Sequence, residues 1–196
     1  GGLDCTNNCG QVPRRRGGPR KRGSVVGPGA LVSVTAFSSM ATSSIIRPRT
    51  LNLQAIDVCN SRCIMCNIWR DGRREQMSIA QLRDFLQQPF FSEVWHVGVT
   101  GGEPTLRRDL FELYRLLPEC LPKLAGASFI THGMQTERAV ELYARVHEHY
   151  RARQLTFEGM VSLDGVGAVH DRIRGRKGAF ASAAQTLRTL KQRGVP

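Results

Sequence analysis

A parallel α/β fold, arranged as a partial (βα) TIM-like barrel with about four βα units, is what this sequence predicts. Three observations carry that expectation. Short apolar runs of strand character alternate four times with longer runs whose apolar residues recur at helical period. Each strand-like run is followed by a loop carrying cysteines, glycines or carboxylates. Successive strands are separated by far more than the dozen residues that a parallel crossover needs, and 196 residues suffice for one sizeable domain.

The first strand is expected over Leu51–Asp57, where Leu51, Leu53 and Ala55 alternate with polar neighbours. Cys59, Cys63 and Cys66 follow it, and residues 70–76 are a polar linker. Ser78, with Gln81 three residues on, has the signature of a capping box. Ile79, Leu82, Phe85 and Leu86 then share one helix face until Pro89 stops it. A second strand, about 94–100, feeds Gly101-Gly102-Glu103-Pro104. Asp109 and Glu112 are expected to cap a helix whose buried stripe is Leu110, Leu113, Tyr114 and Leu117. The third strand, Ala127–Thr131, ends at His132-Gly133, and Thr136 opens a helix with Val140, Tyr143, Ala144 and His147 on one side. The fourth runs from about Leu155 to Leu163 and ends at Asp164-Gly165. A basic loop with His170, Asp171, Arg172 and Arg174 is expected next, then a helix aligning Phe180, Ala183, Ala184, Leu187 and Leu190.

In such an array the loops after the strands emerge at one rim, where barrels of this kind place their sites. Four sequence-distant runs should therefore converge: Cys59–Cys66, Gly101–Pro104, Thr131–Gly133 and Ser162–Asp164. Thiolates are soft ligands that suit zinc or iron-sulfur iron. The cysteine spacing alone leaves alternatives open. It also fits three small buried side chains on one helix face, or three of the four ligands of a structural zinc site, with Cys120 as a possible fourth.

Cys-x3-Cys-x2-Cys after one strand, Gly-Gly-Glu-Pro after the next and Ser162-Leu163-Asp164-Gly165 further on together resemble the radical S-adenosylmethionine (radical SAM) enzymes over about residues 51–196. Within them the likeness is to the branch with the molybdenum-cofactor cyclase and the peptide- and sulfatase-modifying (SPASM/Twitch) enzymes. The resemblance implies that Cys59, Cys63 and Cys66 hold a 4Fe-4S cluster with one iron left for the amino and carboxylate groups of S-adenosyl-L-methionine. It implies reductive cleavage of SAM to a 5′-deoxyadenosyl radical that takes a hydrogen from a small-molecule or peptide substrate. An electron donor such as flavodoxin or ferredoxin is implied as well.

On the same resemblance, Gly101 and Gly102 let backbone approach the cofactor, Glu103 accepts from the SAM ammonium, and Pro104 and Thr131 belong to the same cofactor-facing runs. Met65 stands where many relatives carry an aromatic beside the adenine. Ser162 and Asp164 match a run near the ribose and methionine part, and Arg174 is matched to an arginine that can pair with the SAM carboxylate. Relatives often show Thr-Asn-Gly where this chain has Thr131-His132-Gly133, so His132 is not carried over as a contact. His96 reads as a residue lining its strand. No catalytic acid, base or radical relay emerges.

The net charge of +12 is unevenly placed: residues 1–50 hold eight Lys or Arg against Asp4, +7, which leaves +5 for the other 146 residues. The excess therefore belongs to a Gly/Pro/Ser-rich, disordered N-terminal segment and argues for a solvated arm rather than a nucleic-acid surface. Clustered cysteines in a chain with ample apolar sequence point to a metal in a reducing, cytoplasmic setting rather than to disulfides. No apolar run is long enough to span a membrane. Met40 is read as the true start, and the sequence as the N-terminal part of the core domain, stopping at Gly194-Val195-Pro196 where a fifth strand is due. The rival readings are a non-catalytic zinc or iron-sulfur module and an inactive fragment of such an enzyme.

Overall fold

Alternation of short and long apolar periods produces four parallel strands with helices packed on one face. The computed structural model describes residues 46–71 and 76–195; the expectations for the basic segment up to residue 45, for Met40 as the start and for linker residues 72–75 lie outside them. In chain order the elements are β1 (Thr50–Gln54), α1 (Ile68–Asp71), α2 (Ile79–Leu86), β2 (His96–Thr100), α3 (Leu110–Cys120), β3 (Gly126–Thr131), α4 (Thr136–Arg151), β4 (Thr156–Val161), α5 (Ala168–Arg174) and α6 (Ala179–Gln192). The sheet order is β1-β2-β3-β4, and every pairing is parallel. Among the described residues, no helix is long and apolar enough to cross a membrane.

The period of two sorts the strands into unlike faces. Val97, Val99, Ala127, Phe129 and Phe157 are buried with Leu113, Tyr114 and Leu117 of α3 and Val140, Tyr143, Val146 and Tyr150 of α4. On the opposite face one row of register partners reads Asn52, Gly98, Ser128, Glu158. His96 belongs to this polar face, its Nε2 3.3 Å from Ser128 Oγ. Parallel sheets are usually apolar on both faces, so this sheet reads as one wall of a barrel with a polar interior.

Three tyrosines tie the helices to the sheet and to each other. Tyr143 donates to the carbonyls of Phe129 (2.9 Å) and Met160 (2.8 Å), Tyr114 to Ser128 (3.1 Å), and Tyr150 to Tyr114 (3.1 Å). Burial raises all three phenols above their ordinary range, so they stay protonated donors. These anchors also explain a correction. The buried stripe of α4 is Ala139, Val140, Tyr143, Val146 and Tyr150, not one running through Ala144 and His147.

Other expectations meet the structure in detail. The capping box of α2 forms, with Gln81 N donating to Ser78 Oγ and Ser78 N to Gln81 Oε1, and the expected stripe of α3 is buried in full. Asp109 precedes α3 without capping it through its side chain, because its carboxylate is taken by Arg107. The expected basic loop 170–174 is instead helix α5, closed by Gly175 in the left-handed region (φ 63°). In α6 the buried residues are Ala179, Ala183, Thr186 and Leu190, while Leu187 is exposed.

Candidate functional site

The cysteine loop has no regular structure of its own and is held by what it touches. Arg62 N donates to Arg174 O (3.1 Å) and Ile64 N to Ile173 O (2.9 Å), so the loop supplies partners to carbonyls left open at the end of α5. Gly175 makes this approach possible, since a Cβ there would lie 2.3 Å from Arg62 O. Ser61 Oγ donates to Arg174 O at 2.8 Å and lies 3.2 Å from Cys63 Sγ. With its one proton on that carbonyl, the hydroxyl is left to accept from the Cys63 thiol. Cys63 is buried, Cys59 half-buried and Cys66 exposed. Burial pushes the Cys59 thiol up, partly offset by the Ser61 N–H on its sulfur.

The diglycine turn lies against this loop. Gly102 N donates to Ile56 O (2.7 Å) and Glu103 N to Val58 O (2.9 Å), extending the β1–β2 pairing past the strand ends. A Cβ on Gly101 would stand 2.4 Å from Ile56 O, and one on Gly102 2.2 Å from Val58 O. The first requirement met by these glycines is therefore contact between two stretches of main chain.

Glu103 is fully buried, and its carboxylate gathers the rim. Oε1 accepts from Thr105 N (3.1 Å), Thr105 Oγ1 (2.6 Å) and Thr131 Oγ1 (2.7 Å), while Oε2 accepts from His132 N (2.9 Å). Hydrogen bonds of this number are what lets an acid be buried without a cation directly on it. Thr131 is spent in the same way, donating to Glu103 and accepting from Gly133 N. Arg174 reaches across from α5: Nε is 2.5 Å from Asp164 Oδ2 and Nη1 is 3.7 Å from Cys63 Sγ.

These groups border one cavity of about 160 Å³. Cys59, Cys63, Met65, Cys66, Gly101, Gly102, Glu103, Pro104, Thr131, Ser162 and Arg174 all line it, joined by His132. Of the residues expected at the site only Asp164 stands outside the lining, one step back on Arg174. Cys120 does not join them. It ends α3, about 15 Å along a helix that starts near the rim, and is packed in the apolar core.

A family profile described as the Radical SAM superfamily matches residues 53–196, and so takes in all four rim loops. The chain belongs to the radical SAM superfamily. It is 29% identical over 150 residues to the mycofactocin maturase MftC of Mycolicibacterium smegmatis, covering 75% of this chain and 35% of that protein. The fold is shared with Streptococcus suis SuiB bound to S-adenosylmethionine (TM-score 0.56, 17% identity, 76% of this chain and 31% of the other). It is shared equally with native anSMEcpe with bound AdoMet and the Cp18Cys peptide (TM-score 0.56, 23% identity, 74% and 40%). These lie in the branch that the motifs point to. The chain spans about a third of the length of the curated relatives it matches.

Radical SAM proteins use a 4Fe-4S cluster and SAM, and the donor set here suits such a group. Among the described residues three thiols face one cavity, with no fourth cysteine on its wall. Among the described residues no three His, Cys, Asp or Glu side chains converge on a single-ion point. A mononuclear zinc site needs such convergence, whereas a cube takes each thiolate on a separate iron.

Sequence reasoning missed two further residues. Arg107, buried, donates to Ala55 O (2.7 Å), Met77 O (2.9 Å) and Asp109, tying the end of β1 to the start of α3. Asn60 takes His132 on its side chain and Arg176 on its carbonyl. Arg107 sits in no run that composition or period would single out, and Asn60, inside the cysteine run, is not itself a residue that the run's composition marks.

Proposed function

We propose that this chain is the cofactor-binding part of a radical SAM enzyme that acts on a peptide. The observation that carries the reading is the meeting of three thiols with the Gly101–Glu103 turn at one cavity. Cys59, Cys63 and Cys66 would hold a 4Fe-4S cluster, leaving one corner for SAM. When bound, the pair supplies the one-electron cleavage that yields a 5′-deoxyadenosyl radical.

The chain's own residues bind and orient. Cys59, its thiol pushed up by burial, holds a proton that metal must displace, so loading releases protons. Arg174 puts a positive charge beside Cys63, a ligand that binds iron as an anion. Glu103 acts first as the frame of the rim, and only capacity left on its carboxylate is available to an ammonium group. Gly101, Gly102, Pro104, Thr131 and Ser162 are assigned to SAM, with Met65 against its adenine and Asp164 acting through Arg174.

A peptide is preferred over a small molecule because anSMEcpe, of the same fold, was solved with one. Reduced flavodoxin or ferredoxin in the cytoplasm is the proposed electron source. Anaerobic reconstitution should give a brown protein with about four irons and four sulfides that releases 5′-deoxyadenosine from SAM under reduction. A colourless protein with one zinc and no cleavage would overturn the reading. Turnover stimulated by small molecules but by no peptide would overturn its substrate.

A further inference from the structure

We propose that His132 is a positioning residue whose imidazole latches the cysteine loop to the diglycine turn and so fixes where Cys59 and Cys63 stand. The purpose assigned to the latch rests on the cluster reading above; its geometry does not.

His132 occupies the loop after β3, only 5% exposed, and addresses two other loops at once. Its peptide N–H donates to Glu103 Oε2 at 2.9 Å. Met134 N donates to its Nδ1 at 3.0 Å, which makes Nδ1 the acceptor and leaves the ring proton on Nε2. That Nε2–H faces Asn60 Oδ1 at 2.7 Å, with Glu103 Oε2 at 3.2 Å from the same nitrogen. The ring therefore stands as a neutral, singly oriented donor.

Asn60 lies between Cys59 and Cys63. On its outer side the loop is fastened to the end of α5 and to Arg176; on its inner side the Asn60 side chain meets His132. Removing the ring would leave the Asn60 side-chain carbonyl oxygen at a part-buried contact without its donor, while the packing of α3, α4 and the sheet is untouched. Loss should loosen the loop locally, not the domain.

Peptide-resolved thiol alkylation of the metal-free full chain separates these outcomes, because its thiols report on different places. Cys63 is buried in the loop, whereas Cys120 is buried in the core and serves as control. In His132→Phe, which keeps a ring without polar atoms, and in Asn60→Ala, Cys63 should react about tenfold faster, as expected for a lost part-buried hydrogen bond. Cys120 should be unchanged. The double variant should be no faster than His132→Phe alone, since Asn60→Ala removes a contact that this variant has already lost. His132→Gln, whose amide can still donate, should restore much of the protection, while the shorter His132→Asn should not.

After reconstitution, His132→Phe should show an altered electron paramagnetic resonance signal that His132→Gln brings back. An unchanged Cys63 rate in folded His132→Phe, or Cys120 accelerating in step with Cys63, would overturn the latch. The alkylation result stands whether or not the chain takes up iron, so failure of the latch and failure of the cluster reading are distinguishable.

Discussion

The helix-covered face of the sheet and the rim at its end are held together in different ways. On the covered face, Tyr114, Phe129, Tyr143, Tyr150 and Phe157 pack in a cluster of mostly edge-on and tilted ring pairs. Each ring has several neighbours, and the stabilisation is spread over area. At the rim one carboxylate collects donors from the loops after β2 and β3, and main chain abuts main chain where no side chain fits. The core can lose an atom and keep its form; the rim depends on single atoms, which is what a site that must hold fixed distances requires.

The largest expected effect tests that dependence. Gly102→Ala places a methyl 2.2 Å from the Val58 carbonyl oxygen, and neither partner is a flexible side-chain end. The turn must move off the cysteine loop, at about 3 kcal/mol in a urea unfolding curve, and iron uptake should fall with it. A variant with wild-type stability and iron content would break the contrast between the two regions. Tyr143→Phe probes the other side. It removes one hydroxyl proton shared between two carbonyls but little packing area, so about 1 kcal/mol is expected. Alkylation of Cys63 should stay at the wild-type rate; acceleration would mean that core and rim are not independent.

This division also explains what was legible in the sequence. The stripe of α3 could be read because burial against a sheet imposes a period, and the cysteine and diglycine runs because composition alone marks them. The identity of α5 could not: seven residues are too few for a period, and the glycine that closes it is demanded by Arg62 O, far back in the chain. Likewise the rotation of α4 follows from the Tyr143 hydroxyl finding strand carbonyls and the Tyr150 hydroxyl finding one in α3. In the sequence His132 is a departure from a motif, and nothing marks its partner Asn60. Both acquire meaning only once the loops after β1 and β3 are brought together.

A smaller effect sharpens the picture of His132. Burial holds its ring below the ordinary value of 6.5. The unfolded chain therefore takes up this proton at a pH where the folded chain does not, and stability falls as pH drops below about 6.5 with a slope of at most about 1.4 kcal/mol per pH unit. Above that pH the contribution is fully present. Urea midpoints across this range should show the slope in the wild type and a shallower one in His132→Phe. Equal slopes would mean that the ring titrates normally and is not a fixed neutral donor.

The smallest effect comes from comparing two ion pairs of the same chemistry. Arg83 and Glu119 join α2 to α3 at 2.7 Å with both side chains close to half exposed. Arg174 and Asp164 join α5 to the loop after β4 with the arginine side chain only 12% exposed. The arginine hydrogen bond holds Glu119 below its ordinary range, but water and salt screen a pair so placed. Glu119→Gln should leave the unfolding midpoint where it is at any salt concentration. Asp164→Asn should also change global stability little, yet it frees the guanidinium that stands against Cys63, so its effect should appear in iron uptake. If the exposed pair proved the more consequential in both measurements, proximity to the rim would not be what gives a polar contact its weight in this protein.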